Sequence, residues 1–164
     1  MVWETFNAGN AKLTVKGIPA HPMSSKGVMV NPTLVVHDFL NMLDRAATPE
    51  CTEGREGFIV VKGIQSNPSK AVLTMKVRDH NRKLYEEKKN LLRAAAEFLR
   101  VRHPRAGIEL ELSDSYANIA DAVTNENRRG IDCLYQALEE TGVEAKTKAT
   151  VSYTHLTLPT TPYV

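Results

Sequence analysis

The sequence predicts an α+β fold in which the elements run β-α-β-β-α-β, and three observations carry that expectation. Short strand-like stretches recur, with period-two alternation at residues 12–18, 71–77 and 108–112 and a β-branched and aromatic run at 58–64. Two longer stretches between them repeat apolar residues at helical spacing. Turn-forming clusters separate the elements, which leaves little ambiguity about where each one stops.

In residues 12–18, Leu13 and Val15 alternate with Lys12, Thr14 and Lys16, the pattern of a half-buried strand. Residues 17–31, GIPAHPMSSKGVMVN, then form a long connection that carries one histidine, His21, held against Pro22. Proline biases the residue before it towards extended backbone, which restricts where the imidazole points. Asn31 followed by Pro32 is a strong helix start, because the amide oxygen accepts from free backbone N–H groups while proline sits in the first turn without losing a bond. Val35, Phe39, Met42 and Leu43 mark the apolar side of that helix.

Residues 48–57 are rich in turn formers and charge and predict an exposed connection. The runs at 58–64 and 71–77 are joined by Asn67, Pro68 and Ser69 and should pair as an antiparallel hairpin. In the second run Leu73, Met75 and Val77 share one face, and Thr74, Lys76 and Arg78 share the other. A helix is expected over 82–102, with Leu84, Leu91, Ala95, Phe98 and Leu99 inward and the EEKK run as a solvated face, stopped by His103, Pro104 and Gly107. The IELEL stretch supplies the last strand, with Glu109 and Glu111 expected beside Lys76 and Arg78. This order is the split-βαβ, ferredoxin-like arrangement: a four-stranded antiparallel sheet with two helices on one face. Beyond it, Ile131, Leu134, Tyr135 and Leu138 stripe one more helix, ending at Gly142, that has no place on the finished sheet.

Composition narrows the function classes. The formal charge of +2 is dispersed, without the basic stripe of a nucleic-acid binder. Cys51 and Cys133 are far apart and lack zinc-site spacing, which fits a reducing cytoplasm. No apolar run approaches the roughly 20 residues a membrane span needs, and the first residues lack the pattern of a signal peptide. His37, His80, His103 and His155 share no spacing and read as surface residues. Residues 151–164 carry no Asp, Glu, Lys or Arg, and VSYTHLTLPT resembles the in-frame translation of a sequencing-library adaptor, so a disordered, non-native tail is expected there.

Five segments then point to one family: ETFNA (4–8), HPMSSKGVMVN (21–31), PECTEGREGF (49–58), VRDHNRKLYEEKK (77–89) and DSYANI (114–119). In order and approximate spacing they resemble the peptidase T group of the dinuclear-zinc M20 metallopeptidases, which are tripeptide aminopeptidases. The resemblance implies a ferredoxin-like lid, or dimerisation domain, at 8–114. Residues 1–7 and 115–150 would belong to the catalytic domain on either side, and both zinc ions would be held by segments this chain lacks, leaving it inactive alone. It implies His21 as a catalytic group near the scissile carbonyl, and Arg78 and Asn118 as substrate-binding residues. The implied partners are a tripeptide, the missing catalytic domain and a second copy joined through the lid. The motif departs at Met23, where the family has glycine, and a positive φ there would strain the loop. The alternative reading is a free-standing ferredoxin-like module that binds a ligand or a protein.

Overall fold

The computed structural model describes residues 4–145; the expected tail at 151–164, with His155, lies outside the described residues. Four strands, β1 (Asn7–Lys16), β2 (Phe58–Ser66), β3 (Lys70–Asp79) and β4 (Gly107–Tyr116), form one sheet in the order β2-β3-β1-β4, antiparallel throughout. Helices α1 (Pro32–Asn41) and α2 (Arg82–Arg102) cover one face, and α3 (Arg129–Glu140) follows the sheet. This is the predicted ferredoxin-like α+β architecture. Leu13, Val15, Leu73, Met75 and Val77 from the sheet meet Val35, Val36, Phe39, Leu92 and Leu99 from the helices in a single buried core.

The local signals act as the chemistry requires. Asn31 caps α1, its side chain accepting from the Thr33 N–H at 3.0 Å, with Pro32 in the first turn. Asn67 Oδ1 accepts from the Ser69 and Lys70 N–H groups, both at 2.9 Å, and closes the β2-β3 hairpin. The strands are longer than alternation alone indicates. β1 starts at Asn7, which pairs with Asp79 of β3, and its other poor strand formers, Gly9 and Asn10, are paired on both sides, by β3 and β4. Gly9 is required there: a Cβ would stand 2.2 Å from the Tyr85 hydroxyl and 2.9 Å from the Ser113 carbonyl.

Two expectations are corrected. The buried face of α2 is Tyr85, Lys89, Leu92, Ala95, Ala96 and Leu99, so Leu84, Leu91 and Phe98 lie about half exposed and the inward stripe is rotated from the predicted one. The EEKK run is consequently not a solvated face. Lys89 is buried over the Tyr85 ring and donates to Asp114 at 2.9 Å, and Lys88 donates to buried Asp79 at 2.7 Å. Tyr85 also donates to Asp114; that hydrogen bond, and then Lys89, hold the Asp114 carboxyl below its usual range. The second correction concerns Glu109 and Glu111, which pair with Lys16 at 2.8 Å and Lys12 at 3.2 Å, not with Lys76 and Arg78. β4 neighbours β1, which separates it from β3. Both pairs are exposed and screened by solvent, so they add little to stability.

Candidate functional site

The residues from Gly17 to Asn31 form a closed, braced loop. Its ends are pinned by reciprocal hydrogen bonds between Ile18 and Val30, both 3.0 Å, and a Cβ on Gly17 would meet the Val30 carbonyl at 2.5 Å. Within it, His21 caps a single 3-10 turn, Pro22–Ser24, with φ −66° and ψ 133°. Nδ1 of His21 accepts from the Met23 N–H at 3.3 Å. A backbone N–H can only donate, so Nδ1 presents its lone pair and the neutral ring carries its proton on Nε2. The residue is exposed, which makes that Nε2–H a donor available to a ligand. Met23 is free of the expected strain: among the described residues only glycines have positive φ, and in this loop that residue is Gly27, at 71°. The Met23 side chain is 91% exposed.

Arg78 lies on the open face of the sheet, in register with Ala8 of β1 and Phe58 of β2. Its guanidinium is 5.5 Å from the Tyr116 ring centroid and donates to the Val77 carbonyl at 3.1 Å. Asp79 is not its partner; that carboxylate is turned inward to Lys88 and to the Asn81 N–H at 2.8 Å. Gly57 makes room for it, since a Cβ at residue 57 would overlap the Asp79 carboxylate at 1.9 Å.

Asn118 is buried and fully engaged with backbone. Its Oδ1 accepts from the Thr5 N–H at 2.9 Å and the Ala120 N–H at 3.0 Å, and its Nδ2 donates to the His80 carbonyl at 3.0 Å. Asn7 repeats the pattern, accepting from the Asn118 N–H at 3.1 Å and donating to the same carbonyl at 3.2 Å. Thr5 completes the node by accepting from the Ile119 N–H at 3.1 Å. The segment leading into β1, the segment leaving β4 and the β3-α2 turn are thus tied at one point.

His80, expected at the surface, is buried in this node, 3.9 Å from the Phe6 ring centroid, with Nδ1–H donating to the Thr5 carbonyl at 3.1 Å. Its run of neighbours, RDHN, gave no periodic signal of burial. Burial, aided by the Arg55 charge, lowers its pKa against the opposing effects of the Thr5 hydrogen bond and Asp79. The unfolded state therefore takes up the proton first, and stability falls as pH drops through the unfolded value of about 6.5. Urea unfolding is expected at a lower midpoint at pH 5.5 than at pH 7.5, with the difference smaller in His80→Asn.

Along the sheet, Arg78 sits opposite Ala8 at one end of β1, whereas the His21 loop leaves from the other end, where Lys16 faces Lys70. Eight strand steps at about 3.3 Å separate these ends by roughly 26 Å. The structure does not bring His21, Arg78 and Asn118 together. Nor, among the described residues, does any group of three or more His, Cys, Asp or Glu stand close enough to hold a metal ion, so these residues do not by themselves fit a zinc centre.

Residues 3–105 match the peptidase dimerisation domain of the M20 peptidases. The chain belongs to this family. It is 39% identical over 146 residues to a peptidase T-like protein of Rhizobium meliloti, covering 89% of this chain and 36% of that one. With the peptidase T of Clostridium acetobutylicum it shares 34% over 142 residues, 87% of this chain and 35% of the relative. The chain therefore spans a little over a third of the length of these relatives. The crystal structure of aminopeptidase PepT from Bacillus cereus superposes with a TM-score of 0.72 over 92% of this chain and 40% of that one, at 9% identity, which shows a common fold. This M20 dimerisation domain has no described helix long and apolar enough to cross a membrane.

Proposed function

We propose that this M20 domain is the lid of a zinc-dependent tripeptide aminopeptidase of the peptidase T kind, with residues 8–114 forming the lid and the flanking residues 1–7 and 115–150 belonging to a catalytic body. The observation that carries the reading is the fixed Nε2–H of His21, at the exposed end of a braced loop in a peptidase family. Hydrolysis of a peptide bond passes through a tetrahedral oxyanion, and a preorganised donor aimed at it contributes about 3 kcal/mol. A donor that arrives with lid closure also ties substrate binding to reaction. The two zinc ions of this proposal, which supply the activated water, would be held by other segments.

Arg78 suits a substrate carboxylate or carbonyl, because its planar fork makes bidentate contacts. An extended tripeptide spans about 10 Å, far less than the roughly 26 Å between the end of β1 beside Arg78 and the end that leads into the His21 loop. A homodimer removes the difficulty, with one copy offering His21 and the other Arg78 to a single substrate. The edge strand β2 supports such pairing: among the described residues no strand pairs its outer side, Val61 and Ile64 are exposed, and Leu84 and Leu91 line an apolar groove beside it with Leu40, Leu43 and Ile59. Asn118 in this reading holds the chain crossing instead of touching substrate, since its oxygen is already shared by two backbone donors.

The stripe of α3 suits packing against such a body: Leu134 is exposed, and Ile131 and Leu138 are only half-buried. Exposed free thiols at Cys51 and Cys133 suit a cytoplasmic setting. The test is hydrolysis. The protein extended to the length of its relatives should release the N-terminal residue from tripeptides in the presence of zinc, and the present chain alone should release none.

A further inference from the structure

The His21 loop is gripped by a residue outside every motif that points to the family. Arg105, in the turn between α2 and β4, donates from Nη1 to the Gly27 carbonyl and from Nη2 to the Val28 carbonyl. The two acceptors are 78 and 77 residues away in sequence, so the fork joins two otherwise separate parts of the chain. Gly27 is the left-handed residue of the loop, and the next turn begins from Ser25, whose carbonyl accepts from the Val28 and Met29 N–H groups, both at 3.0 Å. Ser25 is in turn bonded to the histidine turn, its hydroxyl donating to the Pro22 carbonyl at 3.1 Å. A continuous train of hydrogen bonds therefore runs from the guanidinium to the turn whose Met23 N–H fixes the His21 ring.

The turn that carries Arg105 is itself anchored. His103, two residues earlier, hydrogen-bonds Asp38 of α1 at 2.8 Å, and the Ala106 N–H donates to the His103 carbonyl at 2.9 Å. One short turn thus holds α1 with His103 and the loop preceding α1 with Arg105. A bidentate grip on two successive carbonyls fixes direction as well as distance, which a single lysine contact does not.

We infer that Arg105 is a positioning residue for His21, setting the loop so that Nδ1 stays bonded to Met23 and Nε2–H stays the outward donor. Its bearing on turnover rests on the lid reading above; the effect on the ring does not. The test uses the 164-residue chain with ¹⁵N-labelled histidine, in which long-range ¹H–¹⁵N spectra report the His21 tautomer and hydrogen exchange reports the loop. In the parent chain the Nε2-protonated form dominates the neutral ring. Arg105→Ala is expected to move the tautomer towards a mixture and to speed exchange at Met23, Val28 and Met29 about tenfold, a loss of one braced contact pair. Arg105→Lys should recover part of both. In the protein extended to the length of its relatives, Arg105→Ala should lower kcat about tenfold while KM stays within about twofold. Unchanged tautomer and exchange in Arg105→Ala would overturn the inference. If the spectra shift but His21→Ala leaves turnover unaltered, the donor role of His21 fails and the brace stands.

Discussion

His21→Ala, in the protein extended to the length of its relatives, is expected to lower kcat by about a hundredfold or more and to change KM little. In the proposed lid the Nε2–H meets a group whose charge appears only in the transition state, so by differential binding its loss acts on turnover. Removing one such donor costs about 3 kcal/mol in comparable sites. Steady-state kinetics on a tripeptide reads both parameters, and an unchanged kcat would remove His21 from the reaction. The arrangement in two copies has its own signature. An equimolar mixture of His21→Ala and Arg78→Ala chains should recover about a quarter of the parent activity, because half of the dimers are mixed and each of these has one intact site. If both residues served the substrate from the same copy, mixing would restore nothing.

Asn118→Leu is expected to lower the stability of the present chain by about 3 kcal/mol. Leucine keeps the volume and removes an oxygen that serves the Thr5 and Ala120 N–H groups. Thr5 is buried, so its orphaned N–H loses a partner without gaining water, at a cost of about 1–3 kcal/mol. The His80 carbonyl keeps Asn7 as a donor, which limits the damage. A fall of about 10 °C in the thermal midpoint is the matching observable for a domain of this size. Hydrogen exchange should quicken first at Thr5 and Ile119, where the two crossings meet. A midpoint within a degree or two of the parent would show that the node is not what joins them.

The parts of this fold that were legible in the sequence are those where a local rule and the tertiary context agree. Asn31-Pro32 starts α1 as a cap and proline should, and the alternation of Leu73, Met75 and Val77 against Thr74, Lys76 and Arg78 is the alternation of the two faces of β3. The stripe of α2 was not legible. Leu84, Leu91 and Phe98 form one row and Tyr85, Leu92 and Leu99 the adjacent row, only about 100° apart around the helix, and periodicity cannot say which faces the sheet. Tyr85 and Lys89 decide it in the structure, since both bury an apolar body and hand a polar tip to Asp114. β1 is longer than alternation indicates because Asn7, Gly9 and Asn10 have little strand propensity and gain their conformation from pairing, Asn7 with β3 and the other two with both β3 and β4. The partners of Glu109 and Glu111 were open to correction from topology alone, because a βαββαβ chain places its last strand beside its first.

The site divides in the same way. His21 was legible from its fixed backbone and the family motif, and the proton-bearing nitrogen became legible only with the Met23 hydrogen bond. The inward turn of Asn118 and the burial of His80 depend on contacts over 113 and 75 residues, which no local pattern carries. Arg105 follows a helix stop and has no signal of its own.

Hydrolysis of a tripeptide in the presence of zinc, followed by release of its N-terminal residue, tests the central claim most directly when the present chain and the protein extended to the length of its relatives are assayed side by side. The account predicts turnover by the extended protein and none by the chain of 164 residues, whose described residues form an M20 dimerisation domain with no group of three or more His, Cys, Asp or Glu placed to hold a metal ion. Turnover by the chain alone, or none by the extended protein, would contradict it.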